Sequence, residues 1–183
     1  MKTNLILFSF LLAVINCFAG KTPNIILILA DDMGPGEPSH MGGLVPTPAL
    51  DRMAKEGMRF TDAQTTSSVC TPTRYGILTG RYNWRSRLKR GVLVKASSQA
   101  LMDPNRVNLP NFLQQNGYHT GMVGKWHLGA DWELLEKPPK ASDRKDDSWR
   151  VDYSKPFRNG PVDVGFDEAF FILSSLDMAP YLY

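Results

Sequence analysis

An unbroken apolar run that ends in two carboxylates constrains the fold of this chain more than any other feature. The run covers residues 24–30, with the sequence NIILILA, and Asp31 and Asp32 follow it directly. Apolar residues that do not alternate with polar ones are typical of a parallel strand buried on both faces. The run therefore predicts one strand of a parallel sheet, with the acidic pair at its carboxyl end.

Proline and glycine residues mark three helices that alternate with further predicted strands. The helix starts and stops are Thr47-Pro48 and Gly57, Pro72 and Gly80, and Pro110 and Gly117. Proline is favoured in the first helical turn and glycine after the last one. Residues 58–63 alternate in polarity like a strand, and residues 118–125 predict a strand that leads into a glycine-flanked loop. This alternation predicts an α/β domain with a mainly parallel sheet flanked by helices.

The first 19 residues predict a signal peptide. Lys2 precedes an apolar run at residues 5–15, and Cys17-Phe18-Ala19 places small residues at the cleavage positions. The run is shorter than the ~20 apolar residues that span a bilayer, so no stable membrane anchor is expected. The alternatives are a buried N-terminal helix and lipoprotein processing at Cys17, which Asn16 fits poorly. We expect an exported protein, periplasmic or secreted.

Residues 20–183 are long enough for one domain with a hydrophobic core. A net charge of +3 is too small to indicate a nucleic-acid partner. Residues 170–183 (FFILSSLDMAPYLY) are apolar and aromatic, whereas domain termini are usually polar, so we expect the N-terminal part of a larger domain. Residues 137–161 are polar and rich in proline, which predicts a long surface insertion.

The acidic pair Asp31 and Asp32 is the first candidate for chemistry. Adjacent carboxylates repel each other, and partial burial makes both charges costly unless a cation joins them. Hard oxygen ligands of this kind suit calcium or magnesium. The alternative is an exposed acidic start of a loop.

Cys70 is the second candidate, because it is the only cysteine left after removal of the signal peptide. It lies just before the predicted second helix, and Arg74 follows one turn later. Helix N-termini favour anions and shift a thiol toward thiolate, and arginine offers bidentate geometry for sulfate or phosphate. The alternative is a small buried hydrophobic residue.

Lys125 and His127 form the third candidate, at the end of the predicted strand that contains GKWHLG. A lysine provides a point charge for an anion, and a histidine exchanges protons near neutral pH. The alternative is a solvated lysine beside a histidine that packs against Trp126.

Taken together, these motifs resemble those of the sulfatases, the formylglycine-dependent branch of the alkaline phosphatase superfamily. The segments ADDMG, CTPTRYGILTGRY and GKWHLG occur in the family's order and spacing, and TPALDRMAKEGMRFTDA and GFDEAFF are similar as well. The resemblance covers essentially the whole chain after the signal peptide and is strongest for arylsulfatase-type members. The C-x-P-x-R core followed by L-T-G-R is its most specific part.

The resemblance implies roles for individual residues. A formylglycine-generating enzyme would oxidise Cys70 to an aldehyde during export, with Pro72 and Arg74 as part of the signal it reads. Asp31, Asp32 and the converted Cys70 would bind calcium, or else magnesium. Arg74 would hold the aldehyde hydrate, Lys125 would contact the sulfate ester, and His127 would assist release of sulfate. Ser175 would contact the sulfate of a small-molecule or glycan substrate.

Several functional groups that the family needs have no match in this chain. These are further metal ligands, a second lysine, and a second histidine as general acid; His40 and His119 lie in no matching context. A calcium site takes about six to eight oxygens, more than two aspartates supply. We therefore expect the 183-residue chain by itself to be inactive and to bind calcium weakly.

Two other functions stay open from the sequence. Some phosphonate and phosphate ester hydrolases of the same superfamily carry the same C-x-P-x-R core. A non-catalytic relative would keep an anion pocket without performing any reaction, although the presence of every motif residue argues against it.

A basic segment directly follows the signature. Its cations are Arg81, Arg85, Arg87, Lys89 and Arg90. Such a cluster would attract polyanionic sulfated glycans. Charge runs are most often solvated loops, and from the sequence we prefer that interpretation.

Overall fold

The computed structural model describes residues 22–136 and 147–178. Its regular elements are α1 (Pro48–Glu56), α2 (Cys70–Thr79), α3 (Leu109–Gln115), β1 (Gly121–Lys125) and β2 (Glu168–Ile172). Short 3₁₀ turns lie at Ser39–Met41, Asn83–Arg85 and Ser148–Arg150. The chain divides into two compact units, one ending at Gly57 and the other beginning at Met58. The predicted signal peptide, residues 1–19, lies outside the described residues.

The apolar run of the first unit does not form the strand that the sequence predicts. Residues 24–30 are exposed and irregular, and the side chain of Ile26 is 84% exposed. Residues 58–63, at the start of the second unit, also lack the predicted strand. A strand needs a neighbour that accepts and donates its backbone hydrogen bonds. Within residues 22–136 and 147–178 only β1 and β2 pair as a sheet, so an apolar pattern was not sufficient.

Helix α1 of the first unit begins and ends where proline and glycine predicted. Pro48 is its first residue and Gly57 follows its last. Asp51 of this helix accepts hydrogen bonds from the Ser39 hydroxyl at 2.7 Å and from the His40 backbone N–H at 3.0 Å. The Ser39 hydrogen bond is the main reason that the pKa of Asp51 is lowered. This polar network ties the 3₁₀ turn at Ser39–Met41 to α1.

The second unit contains a two-stranded parallel sheet. Strand β1 pairs with β2 in the register that sets Gly121 opposite Glu168 and Lys125 opposite Ile172. The backbone pairing continues past the end of β1, because the N–H groups of Trp126 and His127 donate to the carbonyls that follow along the second strand. The loop after Lys125 is therefore held by the same kind of hydrogen bond as the strand itself.

The hydrophobic core of the second unit surrounds this loop. Its buried members include Tyr75 from α2, Trp126 and Leu128 from the loop, and Val164 and Leu173 from the segments before and after β2. Trp126 also donates its indole N–H to the Gly129 carbonyl at 2.9 Å, so its polar atom is satisfied inside the core. Trp126 and Leu128, which flank the predicted site residue His127, therefore belong to the hydrophobic core.

The third helix also follows its sequence signals. Helix α3 contains Pro110 in its first turn, and Asn108 caps it by accepting a hydrogen bond from the Asn111 N–H at 3.1 Å. The chain then turns at Gly117, which has a φ of 82°. This helix leads into β1, as the sequence predicts.

The described part of the predicted insertion is packed rather than loosely attached. Val151 and Pro161 are buried, and Asp147 accepts hydrogen bonds from the hydroxyl and backbone N–H of Ser97. Residues 137–146 of the insertion lie outside the described residues. In the described ranges, no helix has the length and apolar character needed to cross a bilayer.

Candidate active site

Cys70 occupies the first position of α2, two residues earlier than the proline signal predicted. Val69 precedes the helix in an extended conformation, and the Cys70 side chain is half-buried with a free thiol. The first turn of a helix presents backbone N–H groups without intrahelical partners, which favours an anion. Cys70 and Arg74 are four residues apart, so they lie on the same face of α2.

The start of α2 is fixed by contacts with the loop before it. Thr73 donates its hydroxyl to the Ser67 carbonyl at 2.7 Å, and Thr66 donates to the Pro72 carbonyl at 3.2 Å. A side chain at Gly76 would place its Cβ 2.2 Å from the Thr66 hydroxyl oxygen, so glycine is required at that position. These contacts hold the backbone around Cys70 in place before any ligand binds.

Arg74 connects α2 to the end of β1. Its Nη1 donates to the backbone carbonyl of Lys125 at 2.5 Å, across 51 residues of sequence. The guanidinium of Arg74 and the backbone of Lys125 are therefore in direct contact, and their common role in a site stays a prediction. The positive charges of Arg74 and Lys125 both act on His127, and such a concentration of positive charge attracts an anion.

His127 lies inside this site, with only 3% of its surface exposed. Its backbone has a φ of 55°, in the left-handed region that is costly for a residue with a side chain. The His127 N–H donates to the Leu173 carbonyl at 2.9 Å, which offsets part of that cost. The loop therefore holds His127 in a strained backbone conformation through its contact with the segment after β2.

The hydrogen bonds of His127 determine which ring nitrogen carries the proton. Nε2 lies 2.8 Å from the Leu93 carbonyl, and a carbonyl only accepts, so Nε2 is the donor. In the neutral ring Nδ1 then carries the free electron pair. Within the part of the chain that the structure describes, Nδ1 is buried and has no hydrogen-bond partner. This nitrogen is therefore available to accept a proton or a hydrogen bond from a bound group.

Burial lowers the pKa of His127 from its ordinary value of 6.5. The positive charges of Lys125 and Arg74 lower that pKa further, whereas the Leu93 carbonyl and Asp177 oppose the shift. The ring is therefore neutral at neutral pH, which is the form that accepts a proton.

Leu93 was missed by the sequence analysis, yet its backbone joins two parts of the site. Its N–H donates to the hydroxyl of Thr71, in the first turn of α2, at 3.3 Å, while its carbonyl accepts from His127. Backbone groups leave no trace in residue type, so no motif could have pointed to this position.

Ser175 and Asp177 are two further polar residues of the second unit that interact with Lys125 and His127 or with each other. Ser175 is buried, and its hydrogen bond to Asp177 is the main reason that the pKa of Asp177 is lowered. Lys125 and His127 act on Asp177 in the same direction. Asp177 was not predicted as a site residue, although it lies two positions after Ser175 in the same SSLDM segment.

Asp31 and Asp32, in the first unit, are both exposed. Asp32 has a φ of 57°, the same left-handed conformation as His127. Their carboxylates have the hard-oxygen character that calcium or magnesium prefers, so the donor chemistry fits. Among residues 22–136 and 147–178, however, no three His, Cys, Asp or Glu side chains form a metal-binding group. The metal site at Asp31, Asp32 and Cys70 stays a prediction.

Comparison with known proteins gives the family. The sulfatase family model matches residues 23–161. The chain is 36% identical over 164 residues to the N-acetylgalactosamine-6-O-sulfatase of Bacteroides thetaiotaomicron, covering 89% of this chain and 29% of that protein. It is 44% identical over 118 residues to arylsulfatase G of Homo sapiens, covering 62% of this chain and 22% of that protein.

A solved structure agrees with these relatives. It comes from work on glycosaminoglycan metabolism by Bacteroides thetaiotaomicron and has a TM-score of 0.72 at 36% identity, covering 88% of this chain and 30% of that one. This likeness confirms the α/β, alkaline phosphatase-like fold. The chain thus spans less than a third of the length of these relatives. Because the family model spans most of the sequence and the fold agrees with it, this chain belongs to the sulfatase family.

Proposed function

We propose that the protein to which this chain belongs hydrolyses sulfate esters at the site around α2 and the loop after β1. The observation that carries the proposal is the hydrogen bond from Arg74 to the Lys125 carbonyl, beside a buried His127 whose Nδ1 is available as an acceptor. This arrangement provides positive charge for a sulfate group and a neutral base next to it.

Cys70 is proposed to work as formylglycine, made during export by a formylglycine-generating enzyme. The conversion is a two-electron oxidation at Cβ: the C–S bond breaks and the sulfur leaves as hydrogen sulfide, the aldehyde oxygen comes from water, and two electrons and two protons pass to an oxidant that the enzyme supplies. The hydrated aldehyde provides two hydroxyls on one carbon, one to displace the alcohol from sulfur and one to release the sulfate afterwards. The half-buried position of Cys70 at the start of a helix supports this role.

The other residues of the site bind charge and move a proton. Arg74 and Lys125 stabilise the negative charge of the sulfate group as it transfers. Nδ1 of His127 accepts a proton when the sulfate is released, because the Leu93 carbonyl keeps the ring hydrogen on Nε2. Ser175 contacts the sulfate through its hydroxyl, which donates a hydrogen bond in its present position to Asp177.

Asp31 and Asp32 are the proposed ligands of a calcium or magnesium ion, which when bound polarises a sulfate oxygen. Two carboxylates supply at most four oxygens, fewer than the roughly six to eight of a calcium site, so the converted Cys70 and further ligands would have to complete it. The 183-residue chain is therefore expected to release no measurable sulfate by itself.

The proposed substrates are sulfated small molecules or glycans. The likeness to an N-acetylgalactosamine-6-O-sulfatase and to a structure from glycosaminoglycan metabolism supports a sulfated glycan. The apolar run at residues 5–15 with the small residues after it supports export to the periplasm or beyond the cell.

The test uses the complete natural protein, purified from a host that has a formylglycine-generating enzyme. We expect hydrolysis of an aryl sulfate together with a Cys70 peptide whose mass shows the aldehyde. Turnover with every Cys70 side chain still a thiol would contradict the formylglycine proposal. Faster hydrolysis of the matching aryl phosphonate or phosphate than of the sulfate would instead favour the related ester hydrolases.

A further inference from the structure

The segment after α2 carries an unusual distribution of charge. From Ala63 to Met102 the chain has no aspartate or glutamate. The same stretch contains six cations after the helix: Arg81, Arg85, Arg87, Lys89, Arg90 and Lys95. Charged side chains are rarely buried without a partner of opposite sign. The side chains of these cations therefore stay in contact with solvent more readily than the exposed apolar side chains of β1 and β2, which another part of a protein can cover.

Two aromatic rings stand at the centre of this segment. The rings of Tyr82 and Trp84 stack with their centroids 5.7 Å apart and their planes 14° from parallel. Both side chains are about half exposed, at 50% and 51%. The guanidinium of Arg85 lies 5.0 Å from the centroid of the Trp84 ring. A flat apolar face next to cations fits a sugar ring that carries anionic groups, because the C–H face packs on the aromatic ring while the anions meet the cations.

Hydrogen bonds within the loop that carries these two rings hold it in place. Asn83 is buried and donates its side-chain amide to the Leu88 carbonyl at 2.8 Å, and Ser86 donates its hydroxyl to the Asn83 carbonyl at 2.6 Å. Lys89 donates to the Trp84 carbonyl at 3.0 Å. The aromatic pair is thus pre-organised, so a ligand would lose little affinity to ordering of the loop.

A cavity of about 200 Å³ adjoins the start of this segment. Its lining includes Tyr75, Thr79, Arg81, Asp103 and Arg106. Asp103 pairs with Arg106 at 3.0 Å, whereas no hydrogen bond or ion pair of the Arg81 guanidinium occurs in the described part of the chain. Arg81 therefore leaves a net positive charge in the cavity that suits one further anionic group.

We propose that this surface, defined as Arg81, Tyr82, Trp84, Arg85 and the adjoining cavity, binds a sulfated polysaccharide chain at a second site outside the catalytic pocket. The proposal rests on the sulfatase function proposed above. Cys70 is the first residue of α2 and Thr79, which lines the cavity, is the last, nine residues or roughly 14 Å apart at 1.5 Å per residue. One ligand reaches both sites only if it is a chain of several sugars, so the surface selects polymers over single sulfated sugars.

The chain offers a matched control for this surface. Arg150 also lies over a tryptophan, 6.0 Å from the ring centroid of Trp149. The residues two before Trp149 and two after Arg150 are Asp147 and Asp152. Comparing the two pairs separates the effect of the basic surface from the effect of removing any tryptophan and arginine in contact.

The experiment measures binding of chondroitin sulfate to the complete protein, with hyaluronan and single-stranded DNA as comparison polymers. The Trp84→Ala/Arg85→Gln variant should bind chondroitin sulfate about tenfold more weakly than the wild type. The separate Arg81→Gln variant should also bind more weakly, but by a smaller factor. The Trp149→Ala/Arg150→Gln variant should bind like the wild type. Raising the salt concentration should weaken wild-type binding, because the attraction is electrostatic.

The readouts keep this proposal separate from the sulfatase proposal. Hydrolysis of a small aryl sulfate should be unchanged in all variants, which also shows that they are folded. If the wild type hydrolyses no aryl sulfate, the proposed activity fails while the binding measurement still tests the surface. Unchanged chondroitin sulfate binding in the Trp84→Ala/Arg85→Gln variant, or equally tight binding of hyaluronan or DNA by the wild type, would overturn the second site.

Discussion

At two places, β1 and residues 24–30, the sequence predicts a strand that ends in charged side chains. The structure forms the strand at the first place and not at the second. Strand β1 has β2 as its partner, and the pairing continues to the N–H of His127. Residues 24–30 have no strand partner in the described ranges and stay exposed. A strand end thus positions side chains only when a neighbouring strand holds it.

The difference is clearest at two residues with the same backbone conformation. Asp32 and His127 have φ values of 57° and 55°. His127 is enclosed by Leu93 and Leu173, which fix its backbone and its ring, whereas Asp32 is exposed. Strained conformations persist where the surroundings over-determine them, so the contacts around His127 account for its conformation, whereas Asp32 is exposed.

The largest expected effect is at Cys70, at the start of α2 in the second unit. In the complete protein, Cys70→Ser should lower turnover of an aryl sulfate by about 10⁴-fold or more, because serine lacks the second hydroxyl on the same carbon. A steady-state assay with a melting curve as the folding control measures this. Wild-type turnover in the serine variant would show that position 70 is not the nucleophile.

A smaller effect is expected at the acidic pair. Asp31→Asn and Asp32→Asn should each weaken calcium affinity by at least about 10- to 100-fold, the range for groups that only support metal ligands. The stabilisation of the complete protein by added calcium should shrink accordingly, as followed by thermal unfolding. Asp62→Asn, another exposed aspartate, is the control. An unchanged calcium response in both variants would remove the pair from the metal site.

His127 should give a pH dependence of moderate size. Its pKa is lowered in the folded state, so the unfolded state binds more protons between that value and 6.5. The contribution of His127 to the free energy of unfolding is fully present above pH 6.5 and is lost as pH falls toward the folded pKa. The free energy of unfolding then changes by at most about 1.4 kcal/mol per pH unit. Urea unfolding at a series of pH values measures it.

The controls for this pH dependence are two variants. His127→Gln keeps a donor for the Leu93 carbonyl but does not titrate, so it should flatten the curve. His119→Gln replaces an exposed histidine and should leave the His127 contribution in place. An identical slope in wild type and His127→Gln would contradict a lowered pKa.

The smallest expected effect tests the exposed run itself. Ile26→Ser in the 183-residue chain should change the free energy of unfolding by less than about 0.5 kcal/mol, as for other exposed positions. Leu128→Ser, at a fully buried position of the loop after β1, should lower the free energy of unfolding by about 3 kcal/mol or more. Comparable losses at both positions would mean that residues 24–30 are buried as a strand after all.

The helix boundaries show what local signals predict well. Pro48, Gly57 and Pro110 lie where the sequence placed them, because proline and glycine act on backbone angles within a residue or two. The start of α2 was predicted two residues late, since Cys70 and Thr71 precede the proline that served as the signal. The strands were predicted less well, because their formation depends on a partner elsewhere in the chain.

By itself the sequence determined the family and the residue types that bear its chemistry, through motifs whose members lie a few positions apart. Only the tertiary structure decided that Arg74 binds the Lys125 carbonyl, that Leu93 holds the proton on Nε2 of His127, and that Asp177 joins the site. These contacts cross tens of residues and in two cases use backbone atoms, which every residue carries. These contacts therefore cannot be predicted from the types of the residues involved, because the path of the folded chain determines them.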